Sequence, residues 1–471
     1  YKIDSGRTID MVLKITDKFI IMERIPTPII GKNFDVFLSG LEDSSQFNLQ
    51  QARLIPFYKP GDEMALTSIL LSGLRLIKEF KKSVFKTINL NGSGKIHIFS
   101  EVEFTLFNKR RVDGLILIER GKKIIDGVII EVKNKNNELD PIQIANYVQI
   151  AKAYKIPKIL TISNQFVNFP TQSPVSVKTP KSVSLYHFSW SYLLTIAHIL
   201  LIDNKTNISD EDQVEIMKEI VNYFESPKSG ILGFTQMKPG WVNVTQKINA
   251  GASLKLNDTD VDETVSSWLE EERDMALILS RQLGLMVKSG IIKYKTDIKA
   301  RINNEKRCLV KNKYVEANLQ IDGAVSDIVV RSNFGRKNVV YSVSVKPPED
   351  RKTRPQITWL KNQILKCERK NPELYNHIKN GLMFDISLKF VSKPLRVPIN
   401  EIEDAYEKLY GREIKNFNVI YVNYLGKKFE SRKLFVNHLE SGLINFYETI
   451  VQHLKNWEKP APKIKSAELP E

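Results

Sequence analysis

The stretch Ile124–Lys135, "IIDGVIIEVKNK", is a run of β-branched apolar residues that ends in charged ones. Such a run predicts a buried strand. Residues two apart in a strand face the same side, so Glu131 and Lys133 would point together from a segment whose other members avoid water. Charged side chains are almost never buried unless they are paired or coordinate a metal. The strand therefore either reaches solvent at Glu131 or builds a polar site there.

The segments around this strand predict the element order helix, three strands, helix, strand. Asp62 can cap one long helix, "EMALTSILLSGLRLIKEFKK", whose leucines and isoleucines recur at helical spacing. Three strand candidates follow it, "IHIFSEVEFTLF", "RVDGLILIE" and "IIDGVIIEV", separated by turns at 108–111 and 121–123. Asp140 then caps a second helix with Pro141 at its first position, and "PKILTIS" supplies the last strand.

Composition along the chain indicates a division into two halves. The second half mixes helices with strands such as "SDIVVRS" and "NVVYSVSVK". The Gly-rich stretch 227–259 is expected to be irregular and to separate the halves. The expected parts are an N-terminal β-rich extension at 1–59, an α/β domain at 60–205, a helix and linker at 206–260, an α+β domain at 261–455 and a flexible tail at 456–471.

The charge balance of the chain is strongly basic. Its 471 residues include 70 Lys and Arg against 54 Asp and Glu, which gives a formal net charge of +16 and a pI near 9.4. This excess favours a partner made of phosphates, and therefore nucleic acid. The alternative is a composition that is basic throughout for other reasons, which charge alone does not exclude.

Cysteine usage and the apolar segments limit the class of protein further. Cys308 and Cys367 are the only cysteines and neither belongs to a C-x-x-C pair, so we expect no disulfide framework or zinc cluster and a cytoplasmic location. The N-terminus lacks the apolar segment of a secretory signal. The longest apolar run, "LLTIAHILLI", has about half of the ~20 residues that a membrane span needs. We therefore expect no membrane partner.

Polar residues at the ends of neighbouring strands predict a metal site. Asp113 lies in "RVDGLIL", and Glu131 and Lys133 end the following strand. Two carboxylates on adjacent strands can share Mg²⁺ or Mn²⁺, which prefer oxygen ligands. A metal in that position polarises a phosphoryl oxygen and activates water. A lysine on the same strand face can orient that water and offset the repulsion between the carboxylates. The pattern favours metal-dependent phosphodiester hydrolysis.

The pattern Asp113…Glu131-Val132-Lys133 resembles that of the PD-(D/E)XK nuclease superfamily. The resemblance covers roughly residues 60–165 and includes the order of elements. It implies an α/β fold with a restriction-endonuclease-like αβββαβ core in the N-terminal half, beside the C-terminal α+β domain. It also implies that Asp113, Glu131 and the Val132 carbonyl bind the metal and that Lys133 positions the attacking water. Most of the family cuts DNA, so DNA is the expected substrate, in bacterial restriction or antiphage defence.

Further positions match the same family. Gln143 and Tyr147 stand one helical turn apart, like the Q-x-x-x-Y motif of the branch that includes exonuclease and CRISPR-adaptation nuclease domains. The resemblance implies that this pair orients the scissile strand. Glu63 resembles the acidic residue that many members contribute from the first helix to the metal site, although an acid there also favours the helix dipole by itself. Val112 departs from the family, because it stands where the signature proline would be.

Basic clusters are candidates for holding a phosphate backbone, although most such clusters are only solvated faces. One lies in the expected loop before Asp113, where DNA would have to pass, and another lies in the second half. The candidate residues are Lys109, Arg110, Arg111, Arg351, Lys352 and Arg354. Glu101 and Glu103 compete with Glu63 for a metal role but are expected to face outward or to stand behind the ligands.

The second half of the chain carries a weak echo of the first. When the two are aligned, Lys346 falls under Lys133, but Ser344 falls under Glu131. One interpretation is a degenerate nuclease-like repeat, and the alternative is an unrelated α+β domain. For the whole chain we expect a nuclease that acts on DNA, with a second copy of itself or a defence-system protein as partner. The alternative is a non-catalytic nucleic-acid-binding or scaffold subunit that retains the nuclease fold.

Overall fold

The computed structural model describes residues 11–16, 19–24, 28–37, 47–51, 60–167, 169–202, 207–291, 294, 297–409 and 411–458. The chain divides into two compact units, a first unit of residues 1–233 with 280–285 and a second unit of residues 234–279 with 286–471. Each unit contains its own sheet, and the protein is of the mixed α/β class. Within these described ranges, no helix is long and apolar enough to cross a membrane.

The first unit is built on a six-stranded mixed sheet in the order β3-β4-β5-β6-β7-β8. Neighbouring strands are antiparallel from β3 to β6 and parallel from β6 to β8, while β1 and β2 form a separate antiparallel ribbon. The strands are β1 (Met11–Thr16), β2 (Phe19–Arg24), β3 (Phe47–Gln51), β4 (Lys95–Phe104), β5 (Arg110–Arg120), β6 (Lys123–Val132), β7 (Lys158–Ser163) and β8 (Ser184–Ser189). The helices are α1 (Glu63–Leu76), α2 (Lys78–Thr87), α3 (Pro141–Ala153), α4 (Trp190–Leu201) and α5 (Glu211–Glu225).

The hairpin of β5 and β6 follows from its sequence. Its two-residue turn, Gly121 and Lys122, has positive φ at both positions (58° and 61°), which matches the twist of the flanking strands. β6 is buried on both faces, as its continuous apolar run requires. Gly114 lets α1 come close to β5, because a Cβ atom there would lie 3.1 Å from Leu71 Cδ1. The ends of β5 and β6 are therefore fixed against a packed core.

The predicted element order is observed in the first unit, with two differences in detail. The long first helix is interrupted at Ile77, which has an extended backbone and separates α1 from α2. Ile77 and Phe80 are both buried, so the chain turns there to keep the second apolar stripe on the core. The expected strand over "IHIFSEVEFTLF" ends at Phe104 and continues as the 3₁₀ turn Thr105–Phe107. The caps Asp62 and Asp140 are confirmed, since each accepts from a backbone amide of its helix.

The second unit contains a seven-stranded antiparallel sheet in the order β14-β13-β15-β12-β11-β10-β9. Its strands are β9 (Lys288–Ser289), β10 (Tyr314–Gln320), β11 (Ile328–Asn333), β12 (Asn338–Val345), β13 (Leu382–Leu388), β14 (Leu395–Pro398) and β15 (Ile414–Tyr424). The helices are α6 (Gly240–Asn249), α7 (Thr259–Leu283), α8 (Ile298–Asn312), α9 (Thr353–Lys370), α10 (Pro372–Ile378), α11 (Ala405–Lys408) and α12 (Arg432–Thr449).

The expectation for the stretch 227–259 was wrong in part, because it contains α6. Trp241 of this helix is buried and donates from Nε1 to the Phe429 carbonyl at 2.8 Å, so tertiary packing stabilises a helix that the Gly-rich sequence did not indicate. The expected flexible tail lies outside the described residues from 459 onward. In the described start of this tail, the Asn456 side chain accepts a hydrogen bond from the Lys346 amide at 3.0 Å.

The alignment of the two halves places β12 of the second sheet under β6 of the first, and these two strands differ in their outer neighbours. In the first unit the outer neighbour of β6 is the parallel strand β7. In the second unit the corresponding neighbour of β12 is the antiparallel strand β15. The second sheet therefore does not repeat the parallel pair that flanks Glu131 in the first.

His187 of β8 makes the stability of the first unit depend on pH. It is buried, its Nε2 donates to the Gln165 carbonyl at 2.8 Å, and burial lowers its pKa from 6.5 to about 4. The pKa of His187 is lower in the folded state than in the unfolded state, so its contribution to stability is complete above pH 6.5. The unfolding free energy then falls by about 3 kcal/mol as the pH falls towards 4. We expect the unfolding free energy of His187→Gln to fall less steeply than that of the wild type between pH 6.5 and 4. Urea unfolding at several pH values measures this slope.

The matched control for this prediction is His377→Gln, which changes an exposed histidine of α10. This variant should keep the pH slope of the wild type. If His187→Gln also keeps it, then His187 is not the group that couples folding to protons in this range.

Candidate active site

Asp113, Glu131 and Lys133 lie together at the ends of β5 and β6. The backbone amide of Val132 donates to Asp113 Oδ2 at 2.6 Å, so the Asp113 carboxylate rests against the last residue of β6. Lys133 Nζ donates to Glu131 Oε1 at 2.7 Å. Glu131 and Lys133 face the same side, as the alternation of a strand requires. The opening segment therefore builds a polar site and does not run out to solvent at Glu131.

The site sets a buried and a half-buried carboxylate beside one lysine. Glu131 is 1% exposed, and its Oε2 accepts no hydrogen bond. Burial, followed by the charge of Glu131, raises the pKa of Asp113 well above its usual range. Burial also raises the pKa of Glu131, although Lys133 opposes this. The two carboxylates outweigh the effect of burial on Lys133 and raise its pKa. An uncompensated buried carboxylate oxygen beside a second carboxylate fits a divalent cation.

Glu63 lies beside this group at the start of α1. Its Oε1 accepts from the Asn134 amide at 3.0 Å and from Asn137 Nδ2 at 2.8 Å, while its Oε2 lies 3.9 Å from Lys133 Nζ. Glu63 thus holds the loop that follows β6 and adds a third carboxylate near Lys133. The structure brings it to the site that the resemblance implied.

Asn134 is a positioning residue that the sequence did not indicate. Its side chain is buried, and its Nδ2 donates to the carbonyls of Gly61 at 2.9 Å and Ser229 at 2.7 Å. The preceding carbonyl, that of Lys133, accepts from Trp190 Nε1 at 3.0 Å. These bonds fix the chain immediately after the Glu131–Lys133 pair. In the sequence, Asn134 was only one of several polar residues in a loop.

Gln143 and Tyr147 form a connected pair on α3. Gln143 Nε2 donates to Tyr147 Oη at 2.8 Å, and Tyr147 Oη donates to the Arg111 carbonyl at 2.9 Å. Tyr147 is buried, and burial raises its pKa. The hydroxyl therefore holds the backbone two residues before Asp113. Gln143 is partly exposed and is therefore the accessible member of the pair.

The side chain of Glu101 in β4 is 9% exposed, so the expectation that it points outward is wrong, whereas its ion pair with Arg111 agrees with the alternative that it stands behind the ligands. Ser100 pairs with Gly114 and Val102 with Val112, which puts Glu101 across from Asp113. The register of β4 against β3 shifts near Glu101, and the φ angle of Glu101 is 55°. Glu101 Oε2 lies 2.9 Å from Arg111 Nε. Burial raises the pKa of Glu101, Arg111 lowers it, and Asp113 raises it again.

The backbone of Glu101 is strained, because a left-handed conformation disfavours a long side chain by roughly 1 kcal/mol. Asparagine tolerates this conformation better. We expect Glu101→Asn to raise the unfolding free energy by about 1 kcal/mol, although it removes the ion pair with Arg111. Chemical unfolding of the full chain measures the change.

Glu103→Asn is the matched control, since Glu103 lies on the same strand in ordinary extended backbone. Asparagine is disfavoured in strands, so this variant should lose stability. Equal losses in the two variants would show that the backbone at Glu101 stores no strain.

The basic clusters lie in different units. All three residues of the first cluster were expected in the turn before β5. Lys109 lies in that turn, but Arg110 and Arg111 are the first residues of the strand. The pairing between β4 and β5 extends to Phe104 and Arg110, and this pairing makes Arg110 and Arg111 part of the strand. The second cluster lines a concavity of about 1620 Å³ in the second unit, around the start of α9. Its members are Arg351, Lys352 and Arg354, together with Lys346, Lys389 and Lys415.

The acidic side chains around Lys133 do not form a closed metal cage. Among residues 60–458, as far as they are described, no group of three or more His, Cys, Asp or Glu side chains is arranged to hold a metal ion. Asp113 and Glu131 supply two carboxylates, while Glu63 and Glu101 are engaged by Asn137 and Arg111. Mg²⁺ keeps several waters and needs only one or two carboxylates, so the pair is compatible with it.

Comparisons with models of protein families, with curated proteins and with solved structures found no match to this chain. The resemblance to the PD-(D/E)XK superfamily therefore depends on Asp113, Glu131, Lys133 and the order of the elements around them. The geometry of these residues is the basis for inferring what the protein does.

Proposed function

We propose that the protein is a metal-dependent nuclease of the PD-(D/E)XK type that hydrolyses phosphodiester bonds in DNA. The observation that carries the proposal is that the half-buried carboxylate of Asp113 and the buried carboxylate of Glu131 meet at the ends of adjacent strands, where Lys133 binds Glu131. A purely structural role would not need two carboxylates in a place where burial opposes their charge. The order α1-α2-β4-β5-β6-α3-β7 supports a restriction-endonuclease-like core.

Each residue has a part in this proposal. Asp113 and Glu131 would hold Mg²⁺ or Mn²⁺, joined by the Val132 carbonyl and by Glu63. The ion would polarise the phosphoryl oxygen and lower the pKa of water. Lys133 Nζ, with its three donors, would orient the attacking water and stabilise negative charge on the phosphate. Gln143 would orient the scissile strand.

DNA is the proposed substrate because the chain is basic and because the resembling family mostly cuts DNA. Lys109 and Arg110 are exposed next to the site and would contact the phosphate backbone. Arg351, Lys352 and Arg354 would contribute a second contact in the second unit. A defence system against phage is the proposed setting, with a second copy or another protein of that system as partner.

A second candidate is a DNA-binding or scaffold subunit that does not cut. It is favoured by the lack, among the described residues, of a group of three or more ligating side chains, since Asn137 engages Glu63 and Arg111 engages Glu101. Incubation of the full chain with plasmid and linear DNA in Mg²⁺, in Mn²⁺ or in EDTA distinguishes the two. We expect cleavage that requires the divalent ion. Salt-dependent DNA binding without cleavage in any of these conditions would favour the second candidate.

A further inference from the structure

The second unit has a concavity of about 340 Å³ on one face of its sheet. It is lined by residues of β11, β12, β13, β14 and β15 and of the turn between β11 and β12. Val340 and Ser342 of β12 line it, whereas Tyr341 between them points to the opposite face, where its hydroxyl donates to the Leu439 carbonyl of α12. The concavity therefore lies on the face turned away from α12.

Polar and aromatic side chains gather at one end of this concavity. Asn333 pairs with Asn338, and Asn338 pairs with Tyr424, so the three are cross-strand neighbours. Asn338 is 2% exposed, yet its Oδ1 accepts no hydrogen bond. A buried amide oxygen without a donor destabilises the folded state. A buried oxygen of this kind in the wall of a concavity can be satisfied by a donor from a ligand or from water.

The middle of the concavity is apolar. Val340 pairs with Val422, and Met383 pairs with Ile420, so these side chains form a continuous floor across β12, β15 and β13. Tyr424 at the edge of this floor is 70% exposed. A flat ring that lies on the floor can stack beside Tyr424 and present its polar edge to Asn338.

The walls of the concavity are positively charged. Arg331, Arg336 and Arg396 line it, against one acid, Asp385. Arg396 is held by Asp385, and Arg331 by Glu316. Arg336 is exposed and has no ion pair within the described part of the chain. Its guanidinium is therefore available for an anion, and phosphate suits its planar set of donors.

We propose that this face of the second sheet binds single-stranded nucleic acid. A base lies on the apolar floor beside Tyr424, Asn338 accepts a hydrogen bond from the amino edge of the base, and Arg336 holds a phosphate. Sheet faces that combine an aromatic ring with basic and amide side chains suit unpaired bases, whose rings are free to stack. The proposal does not depend on the nuclease activity, because all its residues belong to the second unit.

The test is fluorescence anisotropy with a labelled single-stranded oligonucleotide of about 20 nucleotides, a length that exceeds one single-strand binding site. The full chain is used in EDTA, so that no cleavage occurs. We expect Tyr424→Ala and Arg336→Ala each to raise Kd about tenfold, since stacked bases and charged contacts contribute on that scale. Arg336→Ala should also reduce the slope of log Kd against log salt by about 0.7, whereas Tyr424→Ala should leave the slope unchanged.

Two further variants separate binding from folding. Asn338→Leu should weaken binding while its thermal midpoint stays at or above that of the wild type, because it removes a buried amide oxygen that accepts no hydrogen bond. Arg369→Ala removes an exposed arginine of α9 and should leave Kd within about twofold, as for a surface residue away from a site. The proposal is overturned if Arg336→Ala and Tyr424→Ala bind as Arg369→Ala does. An equal loss of affinity for duplex DNA in Arg336→Ala and Tyr424→Ala, or equal affinity of the wild type for AMP alone, would also overturn it.

Discussion

Glu131→Gln is expected to lower the rate of divalent-dependent DNA cleavage by on the order of 10³-fold. Glutamine keeps the shape of the side chain but removes the charge that Asp113 and Glu131 together present to a cation. Glu131 Oε1 also accepts from Lys133 Nζ at 2.7 Å, so the substitution weakens the orientation of the lysine as well. Initial rates on plasmid and on linear DNA, measured in Mg²⁺ and in Mn²⁺, give the loss.

Two controls make this result specific. Glu138→Gln makes the same chemical change at an exposed position in the loop after β6 and should keep the rate of the wild type. DNA binding by Glu131→Gln in EDTA should match that of the wild type, because no phosphate contact is removed. Cleavage by Glu131→Gln at the rate of Glu138→Gln would mean that the activity does not arise at this site.

The sequence predicted the first unit well where local rules decide the structure. The strand that ends in Glu131, its tight turn at Gly121 and Lys122, and the caps Asp62 and Asp140 all follow from residue type and spacing. Short turns put β5 and β6 side by side, and this proximity brings Asp113 to Glu131. Because side chains alternate between the two faces of a strand, Lys133 then points to the same face as Glu131.

Tertiary contacts decide the features that the sequence did not predict. Glu101 and Glu103 were given the same expectation, but Glu101 has a left-handed backbone and pairs with Arg111. Asn134 is buried only because the carbonyls of Gly61 and Ser229 meet it there. Neither a bulge nor a carbonyl from a distant loop leaves a signal in the local sequence.

The same limit applies to the second sheet. Alternation in "NVVYSVSV" predicted a strand, and β12 (Asn338–Val345) confirms it. Alternation does not tell which face a helix covers. Tyr341 meets α12, and this contact leaves Asn338, Val340 and Ser342 on the face of the concavity. This strand resembled an ordinary half-buried strand in the sequence. Its face opposite α12 is therefore a candidate binding surface that the sequence did not indicate.

Lys133→Met is expected to have the largest effect on stability. Lys133 is the cation that pairs with the buried Glu131 carboxylate, and its side chain is 17% exposed. Removing one partner of a buried pair leaves an uncompensated charge and costs about 3–5 kcal/mol. A divalent ion that binds Asp113 and Glu131 replaces that positive charge, and binding to the folded state raises stability by mass action. Unfolding in EDTA should therefore show a large loss that Mn²⁺ recovers in part.

The decisive measurement is the shift in thermal midpoint that Mn²⁺ causes. Lys152→Met, which changes an exposed lysine of α3, is the matched control and should respond to Mn²⁺ as the wild type does. Lys133→Met should respond more strongly, because the ion then has no competing ammonium. If the shift in Lys133→Met is no larger than that in Lys152→Met, the carboxylate pair does not hold the ion, and Asp113 and Glu131 serve the fold alone.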